Sequence, residues 1–230
     1  MTKLVDLHCH ILPYVDDGAL RSAESDALLE MLFRQGVRVL CATPHLRKGM
    51  FETPDEEIRI QFSELQERAA GRSCPMRLFL SREYHCDDLF RERLHAAEVL
   101  CLGEGNTLLI EFSSRHSYEK IRDWVSAVLE QGYRPLIAHP ERYRYMEMRD
   151  YERLRKMGAL MQLNLPSIIG AYGDTARLKA EELLSKGMYA MVGSDCHKER
   201  ILHSWYSAPV LKKDILRRLE PLMKGEMSLS

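Results

Sequence analysis

The chain has 230 residues, 45% of them hydrophobic, and its 33 lysines and arginines nearly balance its 34 acidic residues. That length and apolar content suit one sizeable core, so we expect a single domain over residues 1–230, with about 223–230 as a flexible polar tail. We expect neither a nucleic-acid partner nor a membrane span, because there is no basic surplus and no apolar stretch approaches ~20 residues.

Seven apolar segments predict β-strands, and several lack polar alternation, which indicates burial on both faces. Helical periodicity predicts helices between these strands. This alternation predicts an α/β protein with a parallel sheet and helical crossovers. The predicted strands cover residues 4–10, 37–42, 76–80, 107–112, 135–140, 159–164 and 188–195.

The predicted helices have recognisable ends. Thr53 to Glu56 predicts a capping box that opens the second helix, with Pro54 at the first helical position. Gly71 and Gly132 end two of the helices. The predicted helices cover residues 22–34, 54–70, 87–95, 118–131, 150–157, 175–186 and 209–222.

Candidate metal ligands recur where six of the strands end. His8 and His10 stand at i and i+2, so both imidazoles point the same way in an extended strand and can bind one ion. Alone, such a pair is as readily a chance feature of a strand, and a single buried polar residue is usually just hydrogen-bonded. The repetition favours a metal site. The strand-end candidates are His8, His10, His45, Glu83, Glu111, His139, Asp195 and His197.

The number of these ligands bears on both the fold and the metals. A closed barrel gathers its strand ends around one mouth, whereas an open doubly wound sheet spreads them along a line, so a TIM-like barrel is favoured.

Imidazole and carboxylate ligands without thiolate are typical of Mn, Fe, Co or Zn, and the carboxylates favour Mn or Fe. So many ligands predict two or three bridged ions, which would polarise phosphoryl oxygens and generate hydroxide.

Several motifs resemble those of a known enzyme family. The segments 6–10, 43–45, 138–142 and 193–197 resemble the motifs of the PHP (polymerase and histidinol phosphatase) superfamily. Within it, the segments 15–18, 47–54 and 110–112 are similar to the bacterial manganese-dependent tyrosine phosphatases of capsule and exopolysaccharide gene clusters. The resemblance implies a distorted (β/α)7 TIM-like barrel and a three-metal cluster that Glu83 bridges. The implied ligand sets are His8, His10, Glu83 and Asp195; Glu83, Glu111 and His139; and Asp17, His45 and His197, with Asp16 open as the alternative to Asp17.

The expected activity is hydrolysis of phosphotyrosine in proteins by a metal-bridging hydroxide that attacks phosphorus in line. Arg47, Arg142 and Arg200 lie in loops beside the ligands and are predicted to bind phosphate. Arg142, Arg47 and Glu83 form the predicted catalytic set. The resemblance also implies a partner, the bacterial tyrosine kinase of capsular or exopolysaccharide synthesis.

Other functions stay open at this point. The enzyme could instead hydrolyse a small phosphomonoester such as histidinol phosphate, or the chain could be a catalytically weak metal-binding module. The segment from Cys41 to Arg47 fits C-x5-R, the spacing of cysteine-dependent phosphatases, but Pro44 lacks the N–H that such a phosphate loop needs. The six cysteines form no C-x-x-C pair, and acid and histidine follow the N-terminus too soon for a signal peptide. Both features predict a cytoplasmic protein.

Overall fold

A computed structural model describes residues 4–72, 74–113, 116–199 and 213–224. All pairings between the described strands are parallel. Helices connect them, so the α/β class is confirmed. The strands are β1 Leu4–Cys9, β2 Val37–Ala42, β3 His45–Leu46, β4 Arg77–Leu80, β5 Glu83–His85, β6 Thr107–Glu111, β7 Arg134–Ala138, β8 Leu160–Asn164 and β9 Met191–Gly193.

The predicted helices are present, with ends displaced by at most a few residues. The last one ends at Lys224, two residues beyond its predicted end; residues 209–212 and 225–230, which include most of the predicted tail, lie outside the described part of the chain. A short helix directly after β8 was not predicted. The helices are α1 Ser22–Arg34, α2 Asp55–Gly71, α3 Asp88–His95, α4 Tyr118–Glu130, α5 Met148–Met157, α6 Leu165–Ile168, α7 Asp174–Ser185 and α8 Lys213–Lys224.

Two short strands, β3 after β2 and β5 after β4, were not predicted, which corrects the number from seven to nine in the described chain. Thr43 and Pro44 separate β2 from β3, and Pro44 has no N–H for a strand ladder. Ser81 and Arg82 separate β4 from β5. The strands therefore fall into a sheet of order β1-β2-β4 and a sheet of order β3-β5-β6-β7-β8-β9. Because β2 leads into β3 and β4 into β5, the two sheets are parts of one curled parallel sheet.

The start of α2 also differs from the prediction. The helix begins at Asp55, and Pro54 is its N-cap with no side-chain cap hydrogen bond, so the predicted capping box is wrong. The Thr53 hydroxyl instead donates to the carbonyl oxygen of Val15 at 2.9 Å. This bond ties the loop after β1 to the segment before α2.

The first and last strands meet at their carboxyl ends. The Asp195 amide donates to the His8 carbonyl at 2.8 Å, and the His10 amide donates to the Cys196 carbonyl at 3.0 Å. One apolar cluster combines buried side chains from both sheets, among them Leu7, Leu109 and Met191. The motif segments at the two ends of the chain therefore lie side by side.

The helices cover the outer face of the curled sheet. Trp124 of α4, Leu154 of α5 and Leu183 of α7 are buried in the largest apolar cluster, which also contains residues of β6 to β9. A second cluster joins α1 and α2 to β1 and β2. Each fully buried aliphatic side chain stabilises the fold by roughly 1.5–3 kcal/mol. None of the described helices is long and apolar enough to cross a membrane.

Candidate metal centre

Glu83 lies at the centre of the predicted ligands, at the start of β5. Its side chain is fully buried. Three imidazoles surround its carboxylate oxygen Oε2: His8 of β1, His10 directly after β1, and His45 of β3. Oε2 lies 3.1 Å from Nε2 of His8, 3.3 Å from Nε2 of His10 and 3.0 Å from Nδ1 of His45.

All nine predicted ligands lie in one continuous cluster. His139 contacts two members, with Nε2 at 3.0 Å from Oε1 of Glu83 and 3.9 Å from Oε2 of Glu111. The grouping differs from the implied sets because His10 and His45 each belong to two groups. In each group the ligand atoms lie within 4.8 Å of one another: His8, His10, Glu83 and Asp195; His45, Glu83 and Glu111; His10, Asp17, His45 and His197.

Asp16 and Asp17 have different positions in this cluster. Oδ2 of Asp16 accepts from Nδ1 of His10 at 2.7 Å and from the His45 amide at 3.0 Å. Asp17 instead places Oδ1 at 3.6 Å from Nε2 of His45 and 3.4 Å from Nε2 of His197. Asp17 therefore faces two candidate ligands, whereas Asp16 holds the His10 ring by a hydrogen bond to its other nitrogen.

The donor set fits divalent cations. Among the described buried atoms, Oε2 of Glu83 and Nδ1 of His45 lie 3.0 Å apart without the geometry of a hydrogen bond, and Nδ1 of His139 also has no hydrogen-bond partner. Nε2 of His8 lies 3.1 Å from Nε2 of His10, so the electron pairs of two imidazoles face the same space. Nitrogen and carboxylate oxygen ligands without sulfur are those of Mn, Fe, Co or Zn, and no described cysteine belongs to the three groups.

The electrostatics of the cluster also favour a cation. Burial by itself lowers the pKa of His8, but the carboxylates of Glu83 and Asp195 outweigh it and raise that pKa to about 9. Burial raises the pKa of Glu83, yet His8 and His45 hold it well below its usual value. Without an ion, protons on the imidazoles balance the buried carboxylates, and a divalent cation can replace them.

A second layer of polar side chains orients the candidate ligands, and sequence reasoning missed it. Oε1 of Gln162 lies 2.9 Å from Nδ1 of His8, and Nδ2 of Asn164 donates to Oδ2 of Asp195 at 3.0 Å. His85 Nδ1 lies 3.1 Å from Oε1 of Glu111. The sequence contains one sign of this layer: the strand β8 ends with the polar residues Gln162 and Asn164, two positions apart, although it supplies no predicted ligand. Such partners fix the tautomer and orientation of metal ligands.

Two candidate ligands have unusual backbone conformations. His139 has φ of 35° and Asp195 has φ of 50°, both in the left-handed region. A non-glycine residue held there costs roughly 1–3 kcal/mol and is common at functional sites. His139 also precedes a single 3-10 turn, Pro140–Arg142, so a ligand and a predicted phosphate-binding arginine share one short segment.

The three predicted arginines have different surroundings. Nη1 of Arg142 donates to Oδ2 of Asp195 at 2.9 Å, and its guanidinium lies 4.6 Å from the centre of the Tyr172 ring. Arg47 follows β3 directly, one residue beyond Leu46. Arg200 lies outside the described residues.

The cysteine-nucleophile alternative does not fit the structure. Cys41 is fully buried within β2. Burial raises the pKa of its thiol well above the usual value, and the charge of Asp6 raises it further. A catalytic cysteine needs an accessible thiolate with a lowered pKa. Cys41 is therefore an apolar core residue.

The fold and the cluster together define a class: an α/β protein with a candidate multinuclear metal centre at the carboxyl ends of its parallel strands. Residues 4–208 match the family model described as "Capsular polysaccharide synthesis, CpsB/CapC". The chain belongs to the CpsB/CapC family, and the resemblance to the tyrosine phosphatases of capsule clusters is confirmed.

Named relatives and solved structures agree with this family. The tyrosine-protein phosphatase CpsB of Streptococcus pneumoniae is 36% identical over 204 residues, which cover 84% of this chain and 83% of that protein. The tyrosine-protein phosphatase YwqE of Bacillus subtilis (strain 168) is 31% identical over 218 residues, covering 92% of this chain and 85% of that protein.

Structural similarity extends over nearly the whole chain. A crystal structure from work on YwqE and CpsB, described as "unique metal-dependent tyrosine phosphatases", has a TM-score of 0.79 at 28% identity, covering 97% of this chain and 89% of that one. The phosphotriesterase homology protein of Escherichia coli has a TM-score of 0.58 at 13% identity, covering 95% and 92%. The second similarity supports the fold alone.

Proposed function

We propose that this protein is a metal-dependent protein-tyrosine phosphatase. The observation that carries the proposal is the arrangement of three overlapping ligand groups around the buried carboxylate of Glu83. Membership of a family whose named relatives are tyrosine phosphatases supplies the substrate class. A capsule or exopolysaccharide tyrosine kinase is the proposed phosphoprotein partner, and the cytoplasm is the proposed compartment.

In this proposal the nine clustered residues hold two or three ions, and manganese is the proposed metal. Bound at such a site, the ions polarise phosphoryl oxygens and lower the pKa of water. The chain itself supplies orientation: Asp16 and Gln162 fix the rings of His10 and His8. The Glu83 carboxylate, whose pKa is held well below its usual value, would supply negative charge to cations bound in the two groups that contain it.

The two predicted arginines bind the substrate phosphate in this proposal. Arg142 is held beside the cluster by Asp195, and its guanidinium would donate further N–H groups to phosphate oxygens. Arg47 approaches from the segment after β3. A guanidinium on each side of the phosphate would hold it in line for attack and neutralise charge on its equatorial oxygens.

We also propose that the curled sheet is a distorted (β/α)7 barrel within a single domain over residues 1–230. Counting β2 with β3 and β4 with β5 leaves seven parallel units. The hydrogen bonds between His8 and Asp195 and between His10 and Cys196 support contact between the first and last units. Such a barrel gathers ligands from distant parts of the sequence at one mouth.

A substrate panel tests the proposed function. We expect the manganese-loaded protein to hydrolyse phosphotyrosyl peptides with a kcat/KM well above that for phosphoseryl peptides and free histidinol phosphate. The measurement compares kcat/KM for the three substrates at one manganese concentration. The variant Arg142→Lys keeps the charge but loses the bidentate fork, and it should lose activity on all three.

Two outcomes would contradict the proposal. Histidinol phosphate preferred by tenfold or more, about 1.4 kcal/mol of transition-state preference, would support a small-molecule phosphatase. No hydrolysis of any phosphomonoester by metal-loaded protein would support a metal-binding module without catalytic activity.

A further inference from the structure

A short hairpin borders the candidate metal centre. The amide of Arg47 donates to the Phe51 carbonyl at 2.8 Å, and the amide of Phe51 donates to the Arg47 carbonyl at 2.9 Å. The two residues therefore form an antiparallel bridge. Gly49 at the tip has φ of +75°, a conformation that glycine adopts without strain.

This hairpin is anchored on two sides. The Lys48 amide donates to Oδ2 of Asp87, the N-cap residue of α3, at 2.9 Å. Two residues after the bridge, Thr53 is hydrogen-bonded to Val15 in the loop that leads to Asp17. Because both contacts are made near the bridge, the side chains of the bridged pair are presented from a fixed backbone.

The bridged pair combines an aromatic ring with a cation. The Phe51 ring is stacked on the imidazole of His45, with ring centres 5.3 Å apart and planes inclined by 13°. Side chains of directly opposed residues in an antiparallel pair project to the same face, so the Arg47 side chain leaves the hairpin on the same face as the Phe51 ring. Arg47 is half-buried, and no hydrogen bond or ion pair joins its guanidinium to another described residue.

Phe51 is only half-buried, and its ring lies against a candidate metal ligand. A phosphotyrosine bound through its phosphate must direct its phenyl ring outward past the ligands. An aromatic ring fixed beside His45 offers that phenyl ring an offset-stacked or edge-to-face contact. An aliphatic phosphate ester, such as phosphoserine, has no ring to make it.

We propose that Phe51 is a specificity-determining residue that selects aromatic over aliphatic phosphate esters. The proposal rests on the proposed phosphatase function and adds the residue that contacts the organic group of the phosphate ester. Arg47, on the same bridge, binds the phosphate of either class. Phe51 therefore controls the choice between substrates, whereas Arg47 controls the affinity for both.

The experiment measures inhibition by two nonhydrolysable phosphonates, benzylphosphonate and propylphosphonate. Their inhibition constants report binding without the difference in leaving-group reactivity between aryl and alkyl esters. The variants are Phe51→Leu, which keeps an apolar side chain, and Phe51→Tyr, which keeps the ring. Ile60→Ala is the matched control, because Ile60 is an apolar residue of α2 that is 53% exposed.

We expect Phe51→Leu to weaken benzylphosphonate about five- to tenfold, the range of an aromatic pair with its buried area, and to leave propylphosphonate unchanged. Phe51→Tyr should restore the preference, and Ile60→Ala should not alter it. Metal content by elemental analysis should equal that of the unmodified protein in all variants. A second readout is the ratio of kcat/KM for phosphotyrosyl and phosphoseryl peptides, which should fall by a similar factor in Phe51→Leu.

Different failures have different meanings. If Phe51→Leu weakens both phosphonates equally, or loses metal, Phe51 only supports His45 and the inference is wrong. If the unmodified protein prefers phosphotyrosine and Phe51→Leu keeps that preference, the inference fails while the proposed function stands. If the unmodified protein prefers neither benzylphosphonate nor phosphotyrosine, the proposed function and the inference both fail.

Discussion

Among the candidate ligands, Glu83 has the most polar contacts with the others, so we expect metal binding to depend on it most. Its oxygen Oε2 faces His8, His10 and His45, and its oxygen Oε1 faces His139. A fully buried carboxylate is strongly destabilising unless cations or hydrogen-bond donors compensate its charge. Among the described candidates, Glu83 is shared by the group with His8 and Asp195 and the group with His45 and Glu111.

We expect Glu83→Gln to bind fewer ions per chain than His139→Ala or His197→Ala. The substitution removes a charge that two cations share, whereas each histidine is a neutral ligand to one ion. Elemental analysis after gel filtration measures the stoichiometry. Glu98→Gln, at an exposed glutamate, is the control and should bind metal normally. Metal content of Glu83→Gln equal to that of the control would indicate that another carboxylate, such as Glu111, is the bridge.

At the scale of the elements, the close contact of β1 with β9 sets the distance between two ligand-bearing strands. Gly193 in β9 has no room for a side chain: an added Cβ would lie 2.4 Å from Cβ of His8 and 2.8 Å from Nε2 of Gln162. Glycine is therefore required here by the close approach of strands, since its φ is not in the left-handed region.

We expect Gly193→Ala to separate β9 from β1 and to weaken both the fold and metal binding. Overpacking of this kind costs about 1–3 kcal/mol, or roughly 2–12 °C in Tm for a chain of this size. Thermal unfolding and elemental analysis measure the two effects. Gly71→Ala is the matched control, because an added Cβ there meets nothing within 4 Å. Equal Tm and metal content in the two variants would show that the added methyl group at Gly193 does not separate β9 from β1, and would contradict the prediction.

Individual elements show what the sequence could predict and why. Apolar runs and helical periodicity located the strands and helices, because those patterns depend on local spacing alone. The capping box before α2 was wrong because the Thr53 hydroxyl bonds to Val15, which is distant in sequence. The short strand β5, which begins at Glu83, was missed for the same reason: the preceding Arg82 is fully buried against Asp55 of α2, with Nε 3.1 Å from Oδ1. Such partners exist only after folding.

For the molecule as a whole, the candidate centre is built from both ends of the chain. His8 and Asp195 are far apart in sequence, yet the curled sheet brings them into one ligand group. The positions at strand ends could be predicted because all parallel strands of a curled sheet direct their carboxyl ends to one side. The supporting side chains of β8 could not, because Gln162 and Asn164 are identified only by what they contact.

Metal content and phosphatase activity, measured on the same preparation, test the central claim most directly. The unmodified protein should contain two or three ions per chain, as a bridged cluster requires. Prolonged chelation should abolish hydrolysis of a phosphotyrosyl peptide while circular dichroism still shows folded protein. Manganese should then restore activity better than magnesium, because imidazole ligands suit manganese. Full activity in folded protein verified to be free of metal would contradict the account.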